Sequence, residues 1–395
     1  MNRRCFRLTA VLMIVVLLCG CAGTGKESAV ADTDKARVMA DTRTSEGLYP
    51  ATGKQIRIGV VYNGDPRTGT GYSYAYWAGI MKMQKHLGLD DSQIISRSSI
   101  SESDNTAIDE AFHELVKAHC NIIFATSVGF MEACSEYAAK YPDIVFSVCS
   151  GTESNGTNFV NYFGRLYEAR YLSGIIAGMN TRTDRVGFVA AKGMKNSEVT
   201  GSVNAFAMGV REVNPKCRVM VCCTESWNDP DKETAAAEQL IDHGCDILAQ
   251  HCDSPSAQIA AARAGVMGIG YNSDMKEVAP QSVLTSVVWD WSVYYTQAVQ
   301  KMMNGTWNGY NYYGGIQDGL VNITEPAKIC LPESTEKAEQ ARLDILSGNL
   351  KIFSGEMKTN DGQICGQKGS VLSETKIREE MNWYFQNVQI LRLFR

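Results

Sequence analysis

Apolar residues along this chain fall into short runs separated by amphipathic stretches, and their spacing predicts which are strands and which are helices. Ile56-Arg-Ile-Gly-Val-Val-Tyr62 is a β-branched run of the kind buried in a parallel sheet. A glycine-rich loop and a helix-like segment from Ser73 to Leu87 follow it. The unit then repeats: Asn121 to Ala125 reads as a strand, Phe130 to Lys140 as a helix and Asp143 to Val148 as a strand. Tyr141-Pro142 is the stop between the last two, because a residue before proline is pushed out of the helical region. After a helix at Glu168 to Asn180, strands are predicted at Arg185–Ala190, Lys216–Cys222, Asp246–Gln250, Val266–Tyr271 and Val283–Val288. Helices are predicted at Glu198–Val213, Asp231–His243 and Pro255–Ala264, with another starting near Asp290.

Alternating β and α units argue for doubly wound parallel sheets. The chain is too long for one such sheet, so two lobes are expected. The first takes residues 55–165 and about 283–325; the second takes 166–282 and part of 326–395. In open α/β sheets, ligands bind beyond the carboxyl ends of the strands. The loops there, Tyr62–Tyr74, Ala125–Met131, Thr224–Asp231, Gln250–Pro255, Tyr271–Asp274 and Ser286–Trp291, are dense in Trp, Tyr, Asp, Asn and Ser. That asymmetry points to a cleft between lobes as the working site.

The first residues follow a different pattern. Met1 to Arg7 is basic, and Leu8 to Cys19 is an apolar run too short for a membrane span of roughly 20 residues. It suits the core of a signal peptide over residues 1–20. Leu18-Cys19-Gly20-Cys21 resembles the bacterial lipobox, which implies cleavage before Cys21 and a diacylglycerol on its thiol; a plain secretory signal is the alternative. Residues 21–54 are polar and aperiodic, as a flexible tether would be. Removing residues 1–20 takes away Arg3, Arg4 and Arg7 and no acid, so Lys+Arg falls from 38 to 35 against 43 Asp+Glu and the net charge moves from −5 to −8. An acidic chain without a basic cluster argues against nucleic acid as a partner.

Chemistry is sparse. The 13 cysteines are scattered, with no Cys-x-x-Cys, and read as small buried hydrophobes rather than metal ligands. Gly20 to Glu27 approaches a P-loop but has Glu where Ser or Thr should meet Mg²⁺ and follows no strand. Gly64 to Gly71 lacks the P-loop lysine and reads as a glycine-rich ligand loop. Of five histidines only His251 falls in a cleft loop. No nucleophile, metal cluster or cofactor motif is present, so an enzyme is disfavoured. Asp229 and Asp231 could serve acid–base work or cap the helix that they precede.

Several segments together carry a family resemblance over nearly the whole chain after the tether. They are Phe124 to Met131 (FATSVGFM), Tyr162 to Gly178 (YFGRLYEARYLSGIIAG), Asn204 to Gly209 (NAFAMG), Trp227 to Pro230 (WNDP), Gly268 to Asp274 (GIGYNSD) and Leu284 to Ser286 (LTS). In this order and spacing the chain resembles the basic membrane protein family, the purine nucleoside receptor-like substrate-binding lipoproteins of ABC transporters. The resemblance implies a type I periplasmic-binding fold: two Rossmann-like lobes with parallel sheets, joined by a hinge and closing on a purine-type ligand. By position, Tyr72 and Trp227 would stack on the two faces of the base, and Ser127 and Phe130 would line the first-lobe wall. Asp229, Asp253, Asn272 and Asp274 would meet ring nitrogens and exocyclic groups. Nucleoside-binding members carry an Asp near Asn272 and a Lys near Trp289, both serving the ribose. The amide and indole found here favour a free nucleobase such as adenine over a nucleoside, as does similarity to the tryptophan-bearing branch. The implied partners are a purine-type solute, an ABC permease and, through lipidated Cys21, the extracytoplasmic face of a membrane. The protein would act as a monomer without a cofactor. Signalling to a partner receptor, or less readily purine processing, are the alternative readings.

Overall fold

The computed structural model describes residues 51–393. The signal peptide, Cys21 and the tether as far as residue 50 lie outside the described residues. The strands are β1 (Ile58–Val61), β2 (Ile94–Arg97), β3 (Ile122–Ala125), β4 (Val145–Cys149), β5 (Phe159–Gly164), β6 (Arg185–Ala190), β7 (Arg218–Cys223), β8 (Ile247–His251), β9 (Met267–Asn272), β10 (Val283–Trp289), β11 (Tyr312–Gly314), β12 (Val321–Ile323), β13 (Met357–Lys358), β14 (Ile364–Cys365) and β15 (Val388–Leu391). The helices are α1 (Gly71–Leu87), α2 (Asn105–Lys117), α3 (Met131–Lys140), α4 (Leu166–Asn180), α5 (Ser197–Val213), α6 (Pro230–Asp242), α7 (Ser256–Ala264), α8 (Ser292–Met303), α9 (Pro332–Ser347) and α10 (Glu374–Arg378). Among the described residues no helix is long and apolar enough to cross a membrane.

Two sheets form. The first runs β11-β5-β4-β3-β1-β2, with every pair parallel. The second runs β12-β10-β9-β8-β6-β7-β15, with only β12 antiparallel. The central strands are buried on both faces, which is why they read as unbroken apolar runs. Eight of the ten described cysteines are buried and free, packed as small hydrophobes.

The lobe boundary placed at residue 283 is corrected. β10 pairs in parallel with β9, so residues 283–289 belong to the second sheet. The chain crosses only after Trp289: α8 packs on α1 and β11 pairs with β5, and β12 then returns to pair with β10. An apolar run shows that a strand is buried but not which sheet receives it. β2, β5 and α2 were not expected from the pattern; β2 is a partly exposed edge strand and gives a weak signal.

Helices α4 and α5 explain two of the quoted motifs. A Cβ on Gly174 would lie 2.2 Å from the Phe206 carbonyl oxygen, and one on Gly209 would lie 2.1 Å from that of Tyr171. The two backbones touch, and only glycine permits it. Gly209→Ala is expected to destabilise the protein by about 1–3 kcal/mol through overpacking, read as a lower urea midpoint; an unchanged midpoint would contradict the close crossing.

Candidate functional site

The carboxyl ends of both sheets face a cavity of about 730 Å³. The first lobe contributes Asn63 and Gly64 after β1, Tyr72 on α1, Ser99, Ser101, Glu102 and Ser103 after β2, Ser127 and Val128 after β3, and Ser150 after β4. The second contributes Asn196 and Glu198 after β6, Trp227 after β7, Asp253 after β8 and Tyr271 on β9. Each strand supplies its residue where the backbone leaves the sheet, as the strand-end rule requires.

Tyr72 opens α1 directly after Gly71, whose φ of 85° suits glycine. A Cβ there would also lie 2.6 Å from the Asp253 carbonyl oxygen, so the two lobes meet at this point. The Tyr72 hydroxyl donates to the Thr126 carbonyl at 2.8 Å, and its ring stands edge-on to Tyr76 at 4.7 Å. Trp227 lies across the cavity, and its carbonyl accepts from the Asp253 backbone N–H at 2.9 Å. Asp253 Oδ1 accepts from Asn272 Nδ2 at 3.0 Å. Burial first, then the negative charge of Glu233, pushes the Asp253 carboxyl well above the usual range, with Glu198 and Glu102 adding to it.

Four expected site residues from the second lobe, and one from the first, do not line this cavity. The 3₁₀ turn Val128–Phe130 aims the Phe130 ring, which is fully buried, into the core beside Phe112 and Phe146. Asp229 caps α6, accepting from the Lys232 N–H at 3.1 Å, and pairs with Lys232 Nζ at 2.7 Å. Asp274 caps the 3₁₀ turn Met275–Glu277 in the same way. Asn272 sits behind Asp253 at φ 66°, a left-handed conformation that Asn tolerates. Trp289 is nearly buried: it stacks on Trp291 at 4.6 Å and tilts against Phe163 at 5.2 Å. Trp291 stacks in turn on Tyr76 at 4.7 Å, so the Trp-Asp-Trp segment links the lobes through a row of rings.

Glu198, Asn196, Tyr271 and Glu102 line the cavity but were not expected. Glu198 and Asn196 follow β6, a correctly read strand whose carboxyl-end loop was passed over; that position was the available signal. Glu102 follows the unread β2, and its carboxylate accepts from Asn63 Nδ2 at 2.9 Å. His251 lies beneath the floor, fully buried, with its ring 4.5 Å from Tyr271 and 5.9 Å from Trp227. Burial pushes its pKa down to about 4, so the imidazole is neutral at neutral pH.

The cavity is therefore walled by three rings, Tyr72 from the first lobe and Trp227 and Tyr271 from the second, with several hydroxyls and three carboxylic side chains, and none of its lining residues is Lys, Arg or His. Such a surface favours a flat, uncharged or cationic molecule that presents N–H donors, and disfavours an anion.

Residues 55–355 match the family model described as ABC transporter substrate-binding protein PnrA-like. The chain is 31% identical to a purine-binding protein of Brucella abortus (strain 2308) over 336 residues, 85% of this chain and 93% of that one. It is 30% identical to a putative ABC transporter glucose-binding protein of Haloferax volcanii over 323 residues, 82% of this chain and 80% of that one. A solved ABC transporter solute-binding protein from Conexibacter woesei superposes with a TM-score of 0.62 at 18% identity, covering 75% of this chain and 97% of that one, which shows the shared fold. The two parallel sheets are thus those of a type I periplasmic-binding fold, and the chain belongs to the PnrA-like Bmp family of ABC transporter substrate-binding proteins, which bind a solute rather than transform it.

Proposed function

We propose that this protein is a lipid-anchored extracytoplasmic receptor that captures a purine-type ligand, a free nucleobase in preference to a nucleoside, and delivers it as a monomer to an ABC permease. The observation that carries the reading is the placement of Tyr72 and Trp227, one from each lobe, on the same cavity. Closure about the crossing segments would bring the two rings onto a flat heterocycle. The preference for a base is supported by what lies behind the wall. Asn272 Nδ2 donates to Asp253, the Trp289 ring stacks on Trp291, and neither residue is among those lining the cavity where a ribose would sit. The purine-binding relative supports the same class. A sugar is the second reading, favoured by the relative described as a putative glucose-binding protein and by the serine hydroxyls on the first-lobe wall.

Calorimetry with adenine, adenosine and glucose separates these. Adenine is expected to bind, adenosine more weakly, and glucose not at all; binding of glucose without either purine would refute the proposal. Trp227→Ala should weaken purine binding by about 1–3 kcal/mol, the usual value of a base–aromatic stack.

A further inference from the structure

Arg170, on α4, is fully buried, and none of its three guanidinium nitrogens has a hydrogen-bond partner among the described residues. Its guanidinium is wedged between two rings, 4.5 Å from the centroid of Tyr271 and 5.4 Å from that of Phe188. Burial pulls its pKa down to about 10, which leaves it a cation at neutral pH. Taking an unpaired charge out of water is expensive, and an apolar side chain of similar volume would avoid the penalty. The ring faces offset part of it. Tyr271 and Cys252, and then the Glu198 carboxylate on the cavity side, favour the guanidinium's charge.

Glu198 occupies the first turn of α5, where the helix N-terminus also favours a negative group. Its Oε1 lies 3.5 Å from His251 Nε2, a contact at the outer limit of hydrogen bonding that leaves the carboxylate's other acceptor sites for the cavity that it lines. Beneath the floor the order is thus a cation, a neutral imidazole and, at the surface, an anion.

We propose that Arg170 is a positioning residue for ligand binding: the buried counter-charge that acts through Glu198 and Tyr271, setting the carboxylate and the ring for a ligand that presents N–H donors. The proposal rests on the purine reading for its probe. Its signature is a pair of changes of opposite sign. Arg170→Met removes from the interior a charge that has no hydrogen-bond partner, so the unfolding midpoint moves to higher urea. The same change deprives Glu198 of its counter-charge, so adenine binding weakens by about tenfold, the scale of one hydrogen bond to a charged group. A residue that merely supported the fold would lower both. Arg170→Lys keeps the charge and should recover most of the affinity.

The experiment is urea unfolding and adenine calorimetry on wild type, Arg170→Met and Arg170→Lys. Wild-type affinity in Arg170→Met, or a midpoint below wild type, overturns the proposal. If the wild type binds glucose instead of adenine, the purine reading fails separately; the same variants are then titrated with glucose, and the unfolding arm stands whichever ligand binds.

Discussion

Replacing Phe130 with alanine should lower the stability of this protein by about 3–5 kcal/mol, the usual cost of emptying a buried aromatic site. The ring is wholly inaccessible and packs with Phe112, Cys134 and Phe146 between the first sheet and its helices. The backbone decides this: Phe130 N donates to the Ser127 carbonyl at 3.1 Å, and the resulting turn leaves Ser127 and Val128 on the cavity while the phenyl points inward. Urea unfolding measures the loss. Calorimetry at a temperature where the variant stays folded should show near wild-type ligand affinity. A wall residue would behave the other way round, with little change in stability and a large loss of affinity, and that result would remove Phe130 from the core.

Glu233→Gln should raise stability at pH 8 by about 3 kcal/mol while changing it little at pH 4. Glu233 is fully buried under the Asp253 loop, where its carboxylate accepts from Ser254 Oγ at 2.6 Å and from the Asp229 N–H at 3.2 Å. Burial pushes its pKa up to about 7 from 4.5, against those two hydrogen bonds. Between these values the folded protein keeps a proton that the unfolded chain has lost, so stability falls as pH rises through the window. The amide keeps the acceptor and cannot ionise, which removes the slope. His251 contributes a slope of opposite sign: its folded pKa of about 4 lies below the ordinary 6.5, so its contribution is lost as pH falls across that range. Both proteins carry His251, so its slope cancels in the difference, which reports Glu233 together with its effect on the neighbouring Asp253 carboxyl. Urea unfolding at pH 4 and pH 8 is the measurement, and an equal increment at both would contradict the assignment.

Much of the fold was legible because the physics that makes it is local. β1, β3, β4, β6, β8 and β9 are continuous apolar runs, as strands buried on both faces must be, and the segments between them carry helical periodicity. β2 was missed because its residues are partly exposed at the sheet edge. Four residues that the family resemblance implied, Tyr72, Ser127, Trp227 and Asp253, lie in the strand-end loops and line the cavity. Phe130, Asp229, Asn272, Asp274 and Trp289 sit in those same loops and turn elsewhere. A loop side chain's direction follows from its φ and ψ and from the nearest orphan N–H; Asp229 and Asp274 each cap a turn before they can face a ligand.

Ser286-Val-Val-Trp-Asp-Trp marks where local information ends. Its apolar residues continue a run that identifies a strand over Val283–Val288, and β10 forms over Val283–Trp289. Which sheet receives the strand, and whether its two indoles touch a ligand or each other, depends on β9 and on Tyr76, which are 11 or more positions away along the chain. By itself the sequence determined an alternating α/β chain with polar, aromatic strand ends, because hydrophobic period and turn chemistry are properties of neighbouring residues. Only the tertiary structure decided the lobe of β10, the buried isolation of Arg170 and the place of Glu198 on the cavity. Those depend on contacts between distant segments, where burial and charge act through space rather than along the chain.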